Sequence, residues 1–165
     1  MTDERIIEQF LNNAGIAAAQ TSRVADKADL NAAVHELIDQ ADAIYCPGVT
    51  EVEKSLQFPQ DRRTDQYEKA YVCVEEVFGA IAETGSVVCS SHQEKPVQAS
   101  LLPSHHVALV SSDHIYPTLD DFFGSFGEAP PTNITLITGP SRTADIELTL
   151  TIGVHGPERL SVIVF

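Results

Sequence analysis

The sequence lacks the short patterns by which common metal and cofactor sites are recognised. It has no Cys-x-x-Cys, and its three cysteines, Cys46, Cys73 and Cys89, lie far apart. It therefore predicts no zinc or iron–sulfur ligand set and no metal site in this chain. An odd cysteine count also argues against a secreted disulfide scaffold, so buried free thiols are expected. The Gly-x-Gly-x-x-Gly, Walker and Gly-x-Ser-x-Gly patterns of nucleotide-binding proteins and hydrolases are missing as well.

Positive charge is scarce. Ten Lys and Arg residues face 24 Asp and Glu residues, which gives a net charge of −14 and a pI of about 4.6. Such a chain repels the phosphates of nucleic acids and of anionic membranes. The acidic residues are spread along the chain, which fits either an ordinary solvated surface or adaptation to high salt, where screening weakens self-repulsion.

No apolar run approaches the length that crosses a bilayer, and charges stand near the N-terminus where a signal peptide would be apolar. We therefore expect a soluble cytoplasmic protein with no membrane span. A length of 165 residues and a hydrophobic content of 43% suit one domain, over residues 1–165, with a sizeable core.

Hydrophobic periodicity predicts alternating helices and strands. Helices are expected over 3–14 with Gly15 as C-cap, over 30–41 with Asp29 as N-cap, and over 118–126, and residues 16–28 read as a surface connection. Buried strands are expected at 43–46, 86–89, 107–110, 134–138 and 160–165. This rhythm predicts an α/β fold, a three-layer domain with helices flanking the sheet.

The stretch from Gly139 to Pro157 carries an unusual density of hydroxyls, charges and turn residues after a strand. One reading is a capped helix start, with Thr143 as N-cap and acids in the first turn. The other is an anion-binding loop, in which Ser141, Arg142 and exposed backbone N–H groups hold a carboxylate or phosphate and Asp145 orients Arg142. Arg142 is one of six arginines in an acidic chain.

Other candidate groups also have two readings. Glu83, in a tight turn between two strands, is either a local hydrogen-bonding acid or a general base or nucleophile. His155 is either a loop residue or an acid–base group. The pair His105–His106 stands at the head of a strand, with His92 and His114 nearby in sequence. A metal site there needs a carboxylate or a third histidine in a geometry that sequence does not show.

Three segments together resemble the LUD domain family (lactate utilisation protein C). They are Ala80-Ile81-Ala82-Glu83-Thr84-Gly85, Gly139-Pro140-Ser141-Arg142-Thr143-Ala144-Asp145-Ile146-Glu147 and Gly153-Val154-His155-Gly156-Pro157. The similarity runs from Val72 to the C-terminus and includes Leu102-Pro103-Ser104-His105-His106, whereas residues 1–70 match loosely. The resemblance implies a Rossmann-like fold similar to the NagB/RpiA/CoA-transferase group.

The resemblance also implies a role in oxidising L-lactate to pyruvate, together with partner subunits that carry the iron–sulfur clusters and no cofactor in this chain. It implies a pocket with Glu83 and His155 as catalytic groups. The ligand-binding residues of that pocket are expected to be Thr84, Gly85, Gly139, Ser141, Arg142, Thr143 and Asp145. Three hypotheses remain open: a component that binds a small carboxylate or phosphate-bearing ligand, a non-catalytic assembly subunit, and a CoA-transferase-like enzyme that uses Glu83. Homo-oligomers are compatible with each.

Overall fold

A computed structural model of the chain describes residues 3–91, 94–127, 130–144, 150–152 and 156–165. The helices are α1 (Glu4–Ile16), α2 (Lys27–Ile38), α3 (Glu51–Ser55) and α4 (Leu119–Gly124). The strands are β1 (Gln20–Arg23), β2 (Ile44–Tyr45), β3 (Val72–Glu76), β4 (Gly79–Ile81), β5 (Ser86–Ser90), β6 (His105–Val110), β7 (Ile115–Tyr116), β8 (Ile134–Ile137), β9 (Arg142–Ala144), β10 (Leu150–Ile152) and β11 (Arg159–Val164).

A parallel sheet in the order β1-β11-β6-β3-β2 forms the centre of the fold. Its inner strands are almost entirely buried and rich in Val, Ile and Leu because both faces are covered. Leu30, Val34 and Ile38 of α2 pack with α3 on one face. Ile7, Phe10 and Ala14 of α1 pack on the other, together with a second sheet. The parallel sheet therefore lies between two covering layers, which confirms the three-layer α/β prediction.

The second sheet has the order β7-β4-β5-β8 and mixes parallel and antiparallel pairs. Strands β4 and β5 form a hairpin whose turn carries Glu83, and β5 pairs with β8 so that Val87 lies opposite Ile137. The far face of this sheet is covered by α4, where Phe122 is fully buried against Ile81 and Val88. Strands β9 and β10 form a separate antiparallel pair.

Several predicted boundaries were wrong. Helix α1 continues through Gly15 to Ile16. Helix α2 begins earlier than expected because Asp26, not Asp29, is its N-cap: the Asp26 carboxylate accepts a hydrogen bond from the Asp29 N–H. Residues 20–23, read as a surface connection, form edge strand β1 beside β11. Within the described ranges, no helix is long and apolar enough to cross a membrane.

Candidate functional site

The loop after β8 borders a cavity of about 490 Å³. Gly139, Pro140, Ser141 and Arg142 form one wall, and Arg142 is exposed. The other lining residues are largely apolar: Ile16, Ala17, Leu101, Leu136, Ile137, Thr138, Gly156 and Pro157. Among these lining residues Arg142 is the one that carries a positive charge, so any attraction for an anion at this cavity comes from its guanidinium.

Over the described residues, the loop continues into a strand and not into the helix start that was one of its two readings. Residues 142–144 are strand β9, with Arg142 opposite Ile152 and Thr143 opposite Thr151 of β10. Thr143 is therefore no helix N-cap. The Ser141 N–H donates to the Pro157 carbonyl at 2.8 Å, so it is already engaged. Among the described residues no helix begins at this loop, so an anion there would rely mainly on the side chains of Ser141 and Arg142. Asp145 and His155 lie outside the described residues.

Glu83 caps a helix. It lies in the β4–β5 turn with its side chain exposed, and its Oε1 accepts a hydrogen bond of 2.7 Å from the Leu119 N–H in the first turn of α4. A carboxylate at this position satisfies a backbone donor that has no partner within the helix and opposes the positive end of the helix dipole. Glu83 therefore acts as a local hydrogen-bonding acid, which was one of the two roles that the sequence left open.

The β4–β5 turn and the loop after β8 are connected by a short chain of hydroxyl groups. Thr84 Oγ1 lies 2.7 Å from Ser86 Oγ, which lies 2.7 Å from Thr138 Oγ1, one residue before Gly139. The turn that carries Glu83 and the loop that carries Arg142 are therefore neighbours in the fold. Thr84 and Gly85 are not among the lining residues of the loop cavity.

Both motif glycines pack against the end of α1. Gly85 and Gly139 have positive φ angles of 69° and 71°. A Cβ on Gly85 would lie 2.3 Å from the Ala14 nitrogen, and one on Gly139 would lie 2.0 Å from the Ala17 carbonyl oxygen. In the same region the Asn13 side-chain amide donates to the Ala82 carbonyl at 2.8 Å. These contacts explain the requirement for glycine at both positions through packing.

A second group of polar residues is buried between the two sheets. Glu75 of β3 is its centre, and three side chains approach the same oxygen, Oε1. His106 Nε2 lies 3.0 Å away, Cys89 Sγ lies 3.8 Å away, and Ser100 Oγ donates a hydrogen bond. The His106 contact is not aligned as a hydrogen bond. Among the described residues, neither ring nitrogen of His106 has a hydrogen-bond partner, although the side chain is completely buried.

The buried environment shifts the pKa values of Glu75 and Cys89. Burial opposes ionisation of Glu75, but the close His106, then Ser100 and Lys95, together hold the pKa of its carboxyl below the ordinary value. Burial and the neighbouring Glu75 charge raise the pKa of the Cys89 thiol well above its ordinary value. A cysteine nucleophile needs the opposite shift, so Cys89 as it stands is an inert thiol.

A buried ion pair lies beside this group. Lys95 Nζ donates to Glu53 Oε1 and to the Glu76 carbonyl, both at 2.6 Å. Glu53 Oε1 also accepts from the Glu76 N–H at 2.9 Å. Its Oε2 accepts from the Val49 and Thr50 N–H groups at the start of α3. Both charges are buried, paired and hydrogen-bonded, which is the condition under which a buried pair is tolerated.

These buried groups border a second cavity, of about 530 Å³, at the carboxyl ends of β2 and β3. Glu75, Cys89 and Lys95 line it, and so does His114, which is exposed. In open parallel sheets, ligands commonly bind at this edge. Sequence reasoning missed the group except for His106. One signal was available: the acids Glu75 and Glu76 directly continue the buried run Val72–Val74.

Comparison with known proteins identifies the fold and the family of this chain. A crystal structure of a DUF162 family protein from Deinococcus radiodurans matches with a TM-score of 0.70, over 99% of this chain and 98% of that chain, at 21% identity. That similarity defines the fold, a Rossmann-like α/β domain consistent with the NagB/RpiA group. The LUD domain family matches residues 53–165, so the chain belongs to the LUD domain family.

Several relatives match part of the chain. Lactate utilization protein C of Halalkalibacterium halodurans is 34% identical over 110 residues, which are 63% of this chain and 48% of that protein. Lactate utilization protein C of Bacillus licheniformis is 38% identical over 90 residues, 51% of this chain and 38% of that protein. An uncharacterized protein of Neisseria meningitidis is 40% identical over 89 residues, 50% and 37% of the two chains. Each match spans less than half of the relative's own length.

Proposed function

We propose that this chain is a component of an L-lactate utilisation system, which oxidises lactate to pyruvate, and that it binds a small anionic ligand at the loop cavity. The names of two relatives and membership of the LUD domain family support the pathway. The observation that carries the binding role is the placement of Arg142 at a cavity of about 490 Å³, beside Ser141.

The ligand class follows from charge and from the side chains that line the cavity. A chain of net charge −14 repels anions in general. A cavity that accepts one therefore needs a local cation, and Arg142 supplies a planar guanidinium that matches a carboxylate or phosphate in two parallel hydrogen bonds. The apolar walls, such as Leu101 and Ile137, suit the methyl group of lactate or pyruvate. A small 2-hydroxy or 2-keto acid satisfies both requirements.

We assign the electron transfer to iron–sulfur partner subunits. The three thiols of this chain are free and buried, at Cys46, Cys73 and Cys89. Cluster ligation takes about four cysteine thiolates around one cluster, a set that three separate cysteines do not provide. In this proposal the chain presents the ligand or positions the partners. The hydrogen bond between Glu83 and Leu119 disfavours the CoA-transferase alternative, because a nucleophilic carboxylate must be available to the thioester.

Growth on L-lactate tests the proposal. A strain that lacks this gene is complemented with wild type, with Arg142→Gln, or with Arg5→Gln. Arg5 is exposed and paired with Asp3 at the start of α1, so its replacement removes the same charge away from the cavity. We expect Arg5→Gln to restore growth on lactate and Arg142→Gln to fail, with all strains growing equally on glucose.

Co-purification with the iron–sulfur subunits separates binding from assembly. If Arg142→Gln retains its partners but loses growth on lactate, the ligand role is supported. If Arg142→Gln retains both, the ligand role is wrong and the chain is an assembly subunit. Normal growth on lactate of the strain that lacks the gene would contradict the pathway itself.

A further inference from the structure

Three side chains of different chemistry converge between the two sheets, and we propose that Glu75, Cys89 and His106 form a binding site for Zn²⁺. They come from β3, β5 and β6, and one ligand atom from each lies within 4.8 Å of the others. A carboxylate, a thiolate and an imidazole are all ligands that zinc accepts. The site is separate from the loop cavity and does not depend on the proposed function.

Two of the three ligand separations are close to those of tetrahedral zinc, and the third, between Cys89 and His106, is no more than 4.8 Å. Bond lengths of about 2.0–2.3 Å place a nitrogen and an oxygen ligand about 3.3 Å apart, and a sulfur and an oxygen ligand about 3.6 Å apart. The chain has 3.0 Å between His106 Nε2 and Glu75 Oε1, and 3.8 Å between Cys89 Sγ and Glu75 Oε1. Shifts of a few tenths of an ångström would bring both pairs to the zinc values.

The unsatisfied polar atoms of the group also point to a cation. His106 is completely buried, and its Nε2 faces Glu75 at 3.0 Å without an aligned hydrogen bond. In the neutral imidazole with its proton on Nδ1, the Nε2 lone pair faces Glu75, and a cation between these atoms would be its partner. Ser100 already holds Glu75 by a hydrogen bond, which is the kind of outer contact that orients a metal-binding carboxylate.

The charges balance when zinc binds. The Cys89 thiol gives its proton to the buffer as the Zn–S bond forms, and His106 binds as neutral imidazole, releasing a proton if it was charged. The two anions Glu75 and Cys89 then neutralise the dication. The adjacent pair of Lys95 and Glu53 is neutral by itself, so the buried region carries no net charge. Burying the filled site therefore leaves no unpaired charge.

The site has a route for entry and an open side. Glu75 and Cys89 line the cavity of about 530 Å³ at the carboxyl ends of the parallel strands. An ion held between them borders that cavity. Three protein ligands leave the fourth position of a tetrahedral zinc ion to water or to an oxygen of a small molecule, which is the arrangement of catalytic rather than structural zinc sites.

Metal titration tests this site. Chelator-treated protein is titrated with ZnCl₂ against a chromogenic zinc chelator, and separately with Co²⁺ while its absorption is recorded. Wild type should bind one Zn²⁺ per chain, and its Co²⁺ form should show a thiolate-to-cobalt charge-transfer band with the visible bands of tetrahedral cobalt. Failure of wild type to bind one equivalent, or binding without a thiolate band, would overturn the proposal without any variant.

Two matched variants identify the thiolate. Cys89→Ala removes the proposed ligand, whereas Cys46→Ala removes another buried cysteine outside the cluster. We expect Cys89→Ala to lose the thiolate band and to bind Zn²⁺ at least about 100-fold more weakly, since loss of outer-sphere partners alone costs about 10–100-fold. Cys46→Ala should match wild type. A thiolate band that survives in Cys89→Ala would refute the assignment.

Discussion

Replacing Gly139 with alanine should destabilise the fold through one contact with the end of α1. The new Cβ would lie 2.0 Å from the Ala17 carbonyl oxygen and 3.0 Å from the Ala17 carbonyl carbon. Both are backbone atoms, so no side chain can turn aside. The positive φ of 71° adds a second cost, because L-residues with a Cβ avoid this region.

The magnitude follows from these two terms. The left-handed backbone costs about 1–2 kcal/mol for a residue with a Cβ, and overpacking of a close contact costs about 1–3 kcal/mol. Gly139→Ala should therefore lower the free energy of unfolding by about 2–5 kcal/mol. For a chain of this size that corresponds to a fall in Tm of about 5–20 °C.

Gly15→Ala is the matched control. Gly15 lies in the last turn of α1, and among the described residues no atom outside its own helix and neighbours lies within 4 Å of an added Cβ. The substitution should stabilise the protein by about 0.5–1 kcal/mol. Urea denaturation followed by circular dichroism compares both variants with wild type. If Gly139→Ala unfolds at the wild-type midpoint, the packing of the motif loop against α1 is wrong.

Three further predictions concern buried charge, alkaline stability and salt. Lys95→Met leaves the buried carboxylate of Glu53 without its cation and should lower the free energy of unfolding, measured by urea denaturation, by about 3–5 kcal/mol. Lys54→Met breaks an exposed pair and should lower it by less than about 1 kcal/mol. Equal losses for the two variants would contradict the buried pair. Burial, reinforced by Glu53, raises the pKa of the Cys46 thiol from 9.0 to about 12. The folded state thus keeps a proton that the unfolded state loses, so this contribution to stability is full below about pH 9 and is lost as pH rises toward 12. Cys46→Ala should reduce the slope of the free energy of unfolding against pH in this window by about 1.4 kcal/mol per pH unit. An unchanged slope would show that Cys46 ionises normally in the fold. With a net charge of −14, wild-type Tm should rise between low and molar salt; a flat profile would remove the inference of adaptation to high salt.

The parts of the fold that follow local hydrophobic pattern were predictable from the sequence. Helix α1 shows its buried face as Ile7, Phe10 and Ala14, and β6 shows an apolar run over residues 107–110. Edge strand β1 was missed because Gln20–Arg23 has no buried residue. Its strand character comes from pairing with β11, which lies at the opposite end of the chain.

One of the two readings of the loop, the capped helix start at Thr143, was wrong for a related reason. Ser141, Arg142 and Thr143 have the composition of a helix start, and a hydroxyl before acidic residues suits an N-cap. The pairing of Arg142 with Ile152 in the hairpin decides the conformation instead. Hydrophobic periodicity describes one segment at a time, so it does not predict a pairing between two segments.

The buried group around Glu75 illustrates a further limit. Its members come from β3, β5, β6 and the turn over Val97–Ser100, which meet only when the two sheets pack together. No spacing of residues in the sequence predicts that these side chains lie together. By contrast, the resemblance placed Thr84 and the Gly139 loop in one pocket, and the hydroxyl contacts and the pairing of β5 with β8 make the two segments neighbours.

Calorimetric titration of the protein with L-lactate and pyruvate tests the central claim, that Arg142 makes the loop cavity a site for a small carboxylate. Saturable binding is expected for wild type and for Arg5→Gln. Loss of one charge-assisted contact, worth about 1.5–3 kcal/mol, should weaken binding to Arg142→Gln by about 10–150-fold. Equal affinities for the two variants, or no saturable binding of either acid to wild type, would contradict the account.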